Sequence, residues 1–370
     1  MKVAWVIRPA AGGIKQHLDH LLTGLGSQYE ICICGPEELR EWAGGNPFYP
    51  ISIVDGLDLT QDLKAIWQLS KTLRSIKPRL VHIHGLKSVQ ITVPAAALSR
   101  ARKLLFTAHN CLPKPKSRLN RVAHEVAMRR LLRAVTRIIA VSDAVGYEFL
   151  QYVPVDRIVT IRNGVDHRRF SGSSRTEARR EMGLDPDQFA IGAVARLIPE
   201  KGITDLLQAA ALLKNIFPQA RFLIAGDGPM RDSLKHYSRA LGLGSYVQFL
   251  GYRHDVPALM VGWDLFVLPS WSEGLSVSVL EAMAAKLPLV VSDLPSMREV
   301  VVPGKSGFFF PPRDIPALAA AIIQIAKDPG KAKLMGDYNH QRVLRSFGIE
   351  QMIEATRMQY RLLIEEGAGL

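Results

Sequence analysis

The chain is expected to be an α/β protein of two Rossmann-like, doubly wound domains, and three observations point there. At 370 residues it is too long for one ordinary α/β core and comfortable for two of about 170 to 180 residues. Short apolar runs alternate with amphipathic stretches in two successive series. Between the series the pattern lapses into RNGVDHRRFSGSSRTEARREMGLDPDQ, polar and rich in Ser and Arg.

In the first series the runs at 3–7, 29–33, 51–54, 80–84, 104–108 and 138–141 alternate with amphipathic stretches at 14–25 and 63–76. The second series has strands at 189–194, 221–225, 247–250, 265–268 and 289–291, with helices such as 203–216 and 230–241. After Pro311-Pro312 the chain turns helical through 315–326, 331–346 and 349–363. These runs put a first domain at 1–167, a linker at 168–187 and a second domain at 188–347. A ligand cleft is expected between the domains, at the carboxyl ends of the strands.

Composition narrows the setting. The three cysteines, Cys32, Cys34 and Cys111, make no C-x-x-C pair and no metal-spaced cluster, so a reducing cytoplasm is expected. The opening apolar stretch ends at Arg8, too short for a signal-peptide core, and no later run approaches a membrane span. The net charge of +13 is uneven: from Arg100 to Arg137, eleven Lys and Arg face Glu125 alone, an excess of +10 in 38 residues. Leu119, Val122, Val126, Leu131, Leu132 and Val135 interleave with these charges at roughly helical spacing. Phe106 is the segment's only aromatic, which argues against single-strand nucleic acid as a partner. An anionic membrane surface or a lipid-linked acceptor is preferred, with the protein peripheral on the inner face of the membrane; a merely solvated basic helix is the alternative.

The most informative segment is SEGLSVSVLEAMAAKLPLVVSD. The run at 265–268 reads as a strand, 269–274 as its turn and 277–285 as a helix, so Glu273 lies in the loop and Glu281 about one turn into the helix. The first amides of a helix have no internal partner and face outward with the positive end of its dipole, which suits a diphosphate. Two carboxylates there need neutral company, and sugar hydroxyls fit. In GAVARLIPEKGI, Arg196 and Lys201 flank a loop between strand and helix, where paired cations can neutralise a leaving diphosphate as a metal does elsewhere.

The pattern E-G-L-x4-L-E-A-M-A-A-x-L-P-L-V-V resembles the nucleotide-sugar segment of the group 1 glycosyltransferases, glycosyltransferase family 4. R-L-x-x-x-K-G at Arg196 to Gly202, AGDGPM, FLGYRHDV and the hinge-like NGVDHRRF extend the resemblance over nearly the whole chain. The resemblance implies the GT-B fold, with segment 348–370 returning to the first domain. It implies retaining hexosyl transfer from a nucleotide-diphosphate sugar, with UDP-sugar favoured, to a lipid-linked or glycan acceptor in cell-surface polysaccharide or glycoconjugate synthesis. It also supplies roles: Arg196 and Lys201 for the diphosphate, Glu273 for the sugar, Glu281 for the ribose. His109, in FTAHN, would lie beside the donor sugar, and Gly12 and Gly13 would admit a phosphate. Gly226, Tyr252, Arg253, Gly274, Leu275, Ser276 and Val277 would line the nucleotide site. Ser276 stands where relatives often have Pro, so sugar identity cannot be copied from any one of them.

No metal cofactor is expected. Asp185-Pro-Asp187 imitates a D-x-D metal motif, but its place in a polar stretch makes it a turn. His82 and His84 share one strand face, and two His without a third ligand make a poor zinc site. Two other readings stay open: a sugar-phosphate synthase or glycosyl phosphorylase with a small soluble acceptor, and a non-catalytic nucleotide- or nucleic-acid-binding protein of the same fold.

Overall fold

The computed structural model describes residues 1–9, 12–56, 58–112, 118–170, 172 and 174–365, with only the backbone described at 118–124. The chain divides into two compact units, one of Met1–Asn163 with the chain from Glu350 on, the other Gly164–Ile349.

The first unit holds seven parallel strands: β1 (Lys2–Ile7), β2 (Glu30–Gly35), β3 (Phe48–Pro50), β4 (Leu80–His84), β5 (Leu104–Ala108), β6 (Arg137–Ala140) and β7 (Ile158–Thr160). Their order is β3-β2-β1-β4-β5-β6-β7, so the direction of winding reverses between β1 and β4. β4 and β5 are buried along their whole length, as expected of parallel strands covered by helices on both faces. Trp5, Leu18, Leu21, Leu105 and Ile139 form its core, joined by Tyr360 from the C-terminal helix Ile349–Glu365.

The second unit has β8 (Phe189–Val194), β9 (Ala220–Ala225), β10 (Val247–Gly251), β11 (Leu265–Leu268), β12 (Leu289–Ser292) and β13 (Gly307–Phe310). They are all parallel in the order β10-β9-β8-β11-β12-β13, and the winding reverses between β8 and β11. Its core gathers Ile191, Leu207, Phe222, Val267 and Ile322.

Three sequence expectations change. The run at 51–54 is not a strand; β3 is Phe48–Pro50, and the ladder ends when Ile51 N–H donates to Gly35, the last residue of β2. Ile51 and Ile53 remain buried without a partner strand to extend along. The short edge strands β7 and β13 had no sequence counterpart, since neither run offers more than four residues of pattern.

The segment expected as a linker at 168–187 is built into the second unit. It carries the helix Arg175–Glu181, capped by Ser174. Buried Arg179 ties that helix to Asp264 Oδ2 at 3.2 Å and to the carbonyls of Asp185 and Gln188 at 2.8 and 2.6 Å. Asp185 and Asp187 thus belong to a turn after a helix, and Gln188 Nε2 donates to Asp185 Oδ2 at 2.6 Å. The chain passes between units at Asn163–Gly164 and again at Ile349–Glu350. Val165 bridges to Gly348 there.

Candidate active site

In the second unit, the loops after β8 and β11 meet at the reversal of winding, where open α/β sheets bind ligands. The first loop carries Arg196 and Lys201, the second Glu273. Three contacts fasten them. Trp271 N–H donates to Glu200 O at 2.8 Å, and its indole N–H to Asp205 Oδ2 at 2.7 Å. Gly202 has φ of 63°, and a Cβ there would stand 2.0 Å from Pro269 O, so only glycine allows this approach. Arg313 also stacks over Trp271 at 4.1 Å.

Lys201 Nζ donates to Glu273 Oε1 at 2.6 Å. The Glu273 side chain is 5% exposed and that of Lys201 23%, so the pair is largely desolvated. The Glu273 carbonyl accepts from the buried Ser296 hydroxyl at 2.9 Å, which pins the loop from the other side. Arg196 is exposed and makes no ion pair among the described residues.

Gly274, Leu275 and Ser276 lead into the helix Val277–Ala284, and all three are buried. Ser276 does not cap this helix; its hydroxyl lies 3.0 Å from that of Ser278. The first amides of the helix therefore carry no side-chain cap and can serve an anion. Glu281 is the helix's fifth residue and is buried.

Gly226, after β9, has φ of 137°, and a Cβ there would meet Ala195 O at 1.9 Å, so this turn lies directly against the Arg196 loop. Tyr252 and Arg253 follow β10. Tyr252 is exposed, with His254 edge-on at 4.8 Å. The Arg253 guanidinium is held by Asp255, at 2.7 Å to Oδ1, and by Glu181. A hollow of about 490 Å³ lined by Gln188, Arg221, Ser245 and Val247 lies at the amino ends of β8 to β10, away from all of these loops.

The first unit gathers its polar residues at its own reversal point. Gly12 and Gly13 begin the helix Gly13–Leu25, while Ala11 lies outside the described residues. His84 ends β4 and His109 follows β5. His17, from the first helix, joins them; its ring lies 4.8 Å from that of His109, edge to face. Sequence reasoning missed His17. Its signal was the helix period, since it falls on the buried face with Leu18, Leu21 and Leu25.

The His82 ring lies 4.0 Å from that of His84, but both its nitrogens are engaged elsewhere. Its Nδ1 lies 2.7 Å from Tyr360 OH and its Nε2 2.7 Å from Thr107 Oγ1. Burial pushes the imidazolium pKa of His82, His84 and His109 well below 6.5, and that of His17 down to about 4. All four are neutral at pH 7.

Two family models cover the chain: Glycosyltransferase Family 4 over residues 11–169 and Glycosyl transferases group 1 over residues 174–342. EpsD of Bacillus subtilis (strain 168), named as a glycosyltransferase, is 30% identical over 77% of each chain. The Escherichia coli UDP-Gal:alpha-D-GlcNAc-diphosphoundecaprenol alpha-1,3-galactosyltransferase is 26% identical over 85% of this chain and 83% of its own. Among solved structures, Anabaena Alr3699/HepE in complex with UDP superposes with a TM-score of 0.82 at 22% identity, covering 97% of this chain and 99% of that one. The chain belongs to the group 1 glycosyltransferases, family 4, and its two Rossmann-like units are those of the GT-B fold.

Proposed function

We propose that this glycosyltransferase moves a hexose from a nucleotide-diphosphate sugar, with UDP as the nucleotide, to a hydroxyl of a lipid-linked or glycan acceptor, with retention at the anomeric carbon. The observation that carries the reading is the Lys201–Glu273 pair beside the uncapped start of the Val277–Ala284 helix. It joins a cation for a phosphate to a carboxylate for hydroxyls. The relative's UDP-Gal donor and diphosphoundecaprenol acceptor, and the UDP held by the structural neighbour, favour these substrate classes.

In this reading the second unit takes the donor. Arg196, Lys201 and the amides at 277–279 offset the charge that grows on the leaving diphosphate. Glu281 accepts from the ribose hydroxyls, and Glu273 from those of the sugar. The bond from the anomeric carbon to the phosphate oxygen breaks as the acceptor oxygen bonds to that carbon on the same face. The acceptor proton passes to the leaving phosphate oxygen, so no enzyme nucleophile is needed. The first unit takes the acceptor, and His109 and Gly13 are the residues it contributes to the reaction. The setting is biosynthesis of a cell-surface polysaccharide or glycoconjugate at the cytoplasmic face of a membrane.

A donor panel read by thermal shift tests this. A bound nucleotide sugar at 100 times its Kd adds about 2.7 kcal/mol of stability. UDP and one UDP-hexose should stabilise the protein, and the product should keep the donor's anomeric configuration by NMR. Stabilisation by no nucleotide sugar, or an inverted product, would overturn the reading.

A further inference from the structure

We infer that His17, His84 and His109 form a binding site for a borderline divalent transition ion, and that Zn²⁺ is the ion they fit. One nitrogen from each ring lies within 4.8 Å of the others, and all three residues are buried. They come from the first helix, the end of β4 and the residue after β5, so the sheet itself brings them together.

The free lone pair of His17 is the second observation. His17 Nδ1 faces Asn163 Oδ1 at 3.0 Å, so Nδ1 carries the proton and Nε2 presents a lone pair. That is how a buried acceptor orients a metal-binding imidazole. Nε2 of His17 is buried with no hydrogen-bond partner, a costly state that a cation would relieve. His84 Nδ1 and His109 Nε2 stand 3.4 Å apart. A tetrahedral ion with Zn–N bonds of about 2.0–2.1 Å needs its nitrogens about 3.3 Å apart, close to the spacing of this pair, and the His17 ring must turn to bring all three from within 4.8 Å to that distance.

The rings are uncharged at neutral pH, as a ligand must be. Arg8, whose charge acts on His109, is itself paired with Asp55 Oδ1 at 2.8 Å. Three imidazoles suit Zn²⁺, Co²⁺, Ni²⁺ or Cu²⁺ and not the oxygen-seeking Mg²⁺ and Ca²⁺. They also leave a fourth position open, the pattern of reactive rather than structural zinc.

The test titrates metal-free full chain with Co²⁺ and follows its visible absorption. One equivalent should give the strong bands of four-coordinate Co²⁺ without a thiolate charge-transfer band, displaced by Zn²⁺ and unaffected by Mg²⁺. His17→Gln should weaken binding more than about 100-fold and Asn163→Ala about 10- to 100-fold, while His236→Ala, at an exposed position, should leave it unchanged. Absence of four-coordinate bands in the unmodified chain, or wild-type affinity in both His17→Gln and His109→Gln, would overturn the site.

A second readout rests on the role proposed for His109: Zn²⁺ should inhibit transfer and EDTA should restore it. Cobalt binding without zinc inhibition keeps the metal site and removes His109 from the reaction. Inhibition that persists in His17→Gln places the inhibitory ion elsewhere and counts against the site.

Discussion

Lys201 and Glu273, 72 residues apart in sequence, meet at 2.6 Å in a largely desolvated ion pair. Lys201 thereby neutralises a carboxylate that, in the proposed reading, would otherwise repel the donor diphosphate. Removing one member of a buried pair leaves the other charged and unpartnered, at a cost of about 3–5 kcal/mol. Lys201→Ala should therefore unfold at lower urea than the wild type, and Lys201→Ala/Glu273→Gln should recover most of that loss. Activity should stay low in both. Recovery of transfer in the double variant would mean that Lys201 serves only to balance Glu273.

The two glutamates should separate by readout. Glu281→Ala should weaken UDP binding, while Glu273→Ala should mostly spare UDP affinity and depress sugar transfer. Each lost charge-assisted hydrogen bond corresponds to roughly 1.5–3 kcal/mol, about 10- to 100-fold. Calorimetric titration with UDP beside initial-rate measurements tests the division, and an equal loss of UDP affinity in both variants contradicts it.

Transfer should survive excess EDTA, because Arg196 and Lys201 are assigned the charge that a divalent ion carries elsewhere. The His17–His84–His109 site does not alter this expectation, since an ion there would occupy His109 rather than assist the diphosphate. Initial rates before and after chelation decide it. Complete loss on chelation, restored by Mg²⁺ or Mn²⁺, would sink the assignment.

Local chemistry was legible and distant pairing was not. The strand Leu265–Leu268, its turn and the helix from Val277 follow from an apolar run, a Gly-containing turn and good helix formers, so Glu273 and Glu281 could be placed by sequence. Nothing local announces that Lys201 will meet Glu273, because strand order decides which loops become neighbours. The His trio failed for the same reason: His84 and His109 were each visible, but nothing local announces that the first helix brings His17 to them. Arg179 shows the opposite error. A polar, Arg-rich stretch reads as a linker until one buried guanidinium finds Asp264 and several carbonyls.

Tyr360 should matter for folding of the first unit. Its hydroxyl accepts from Trp5 Nε1 at 2.8 Å and lies 2.7 Å from His82 Nδ1, all three residues being buried. Tyr360→Phe keeps the ring and strands the indole N–H and the imidazole nitrogen. At about 1–3 kcal/mol for an unsatisfied buried group, the loss should be at least about 1 kcal/mol by urea unfolding. An unchanged midpoint would show that the Tyr360 hydroxyl adds nothing to the hold on the C-terminal helix.

Membrane attachment needs a revised surface. Leu132 and Val135, expected to interleave with the basic residues at a lipid interface, are instead buried, with Met128 beside them in the fold's interior. Lys114 and Lys116 lie outside the described residues, and the side chains of Arg118 and Arg121 are not described. Arg129, Arg130 and Arg133 of the helix Arg118–Arg133 are exposed. An outward apolar stripe occurs instead on the helix Leu59–Ile76, where Leu59, Leu63 and Trp67 are 77%, 67% and 58% exposed at four-residue spacing, with Lys71 over the Trp67 ring at 3.6 Å. The helix Leu86–Ser99 packs against both of these helices, so the stripe and the basic helix belong to one layer of the first unit. The protein should sediment with vesicles containing anionic lipid. At roughly 1 kcal/mol per basic residue that reaches the surface, four engaged side chains contribute about 4 kcal/mol, and screening beyond a Debye length of about 8 Å makes that part salt-sensitive. Neutralising Lys114, Lys116, Arg118 and Arg121 together should remove the salt-sensitive part, whereas Leu63→Ser/Trp67→Ser should weaken binding at every salt concentration. If anionic and neutral vesicles both fail to bind the protein at low salt, the membrane reading fails and the basic helix is a solvated face. Tight binding to short oligonucleotides would instead revive nucleic acid as a partner.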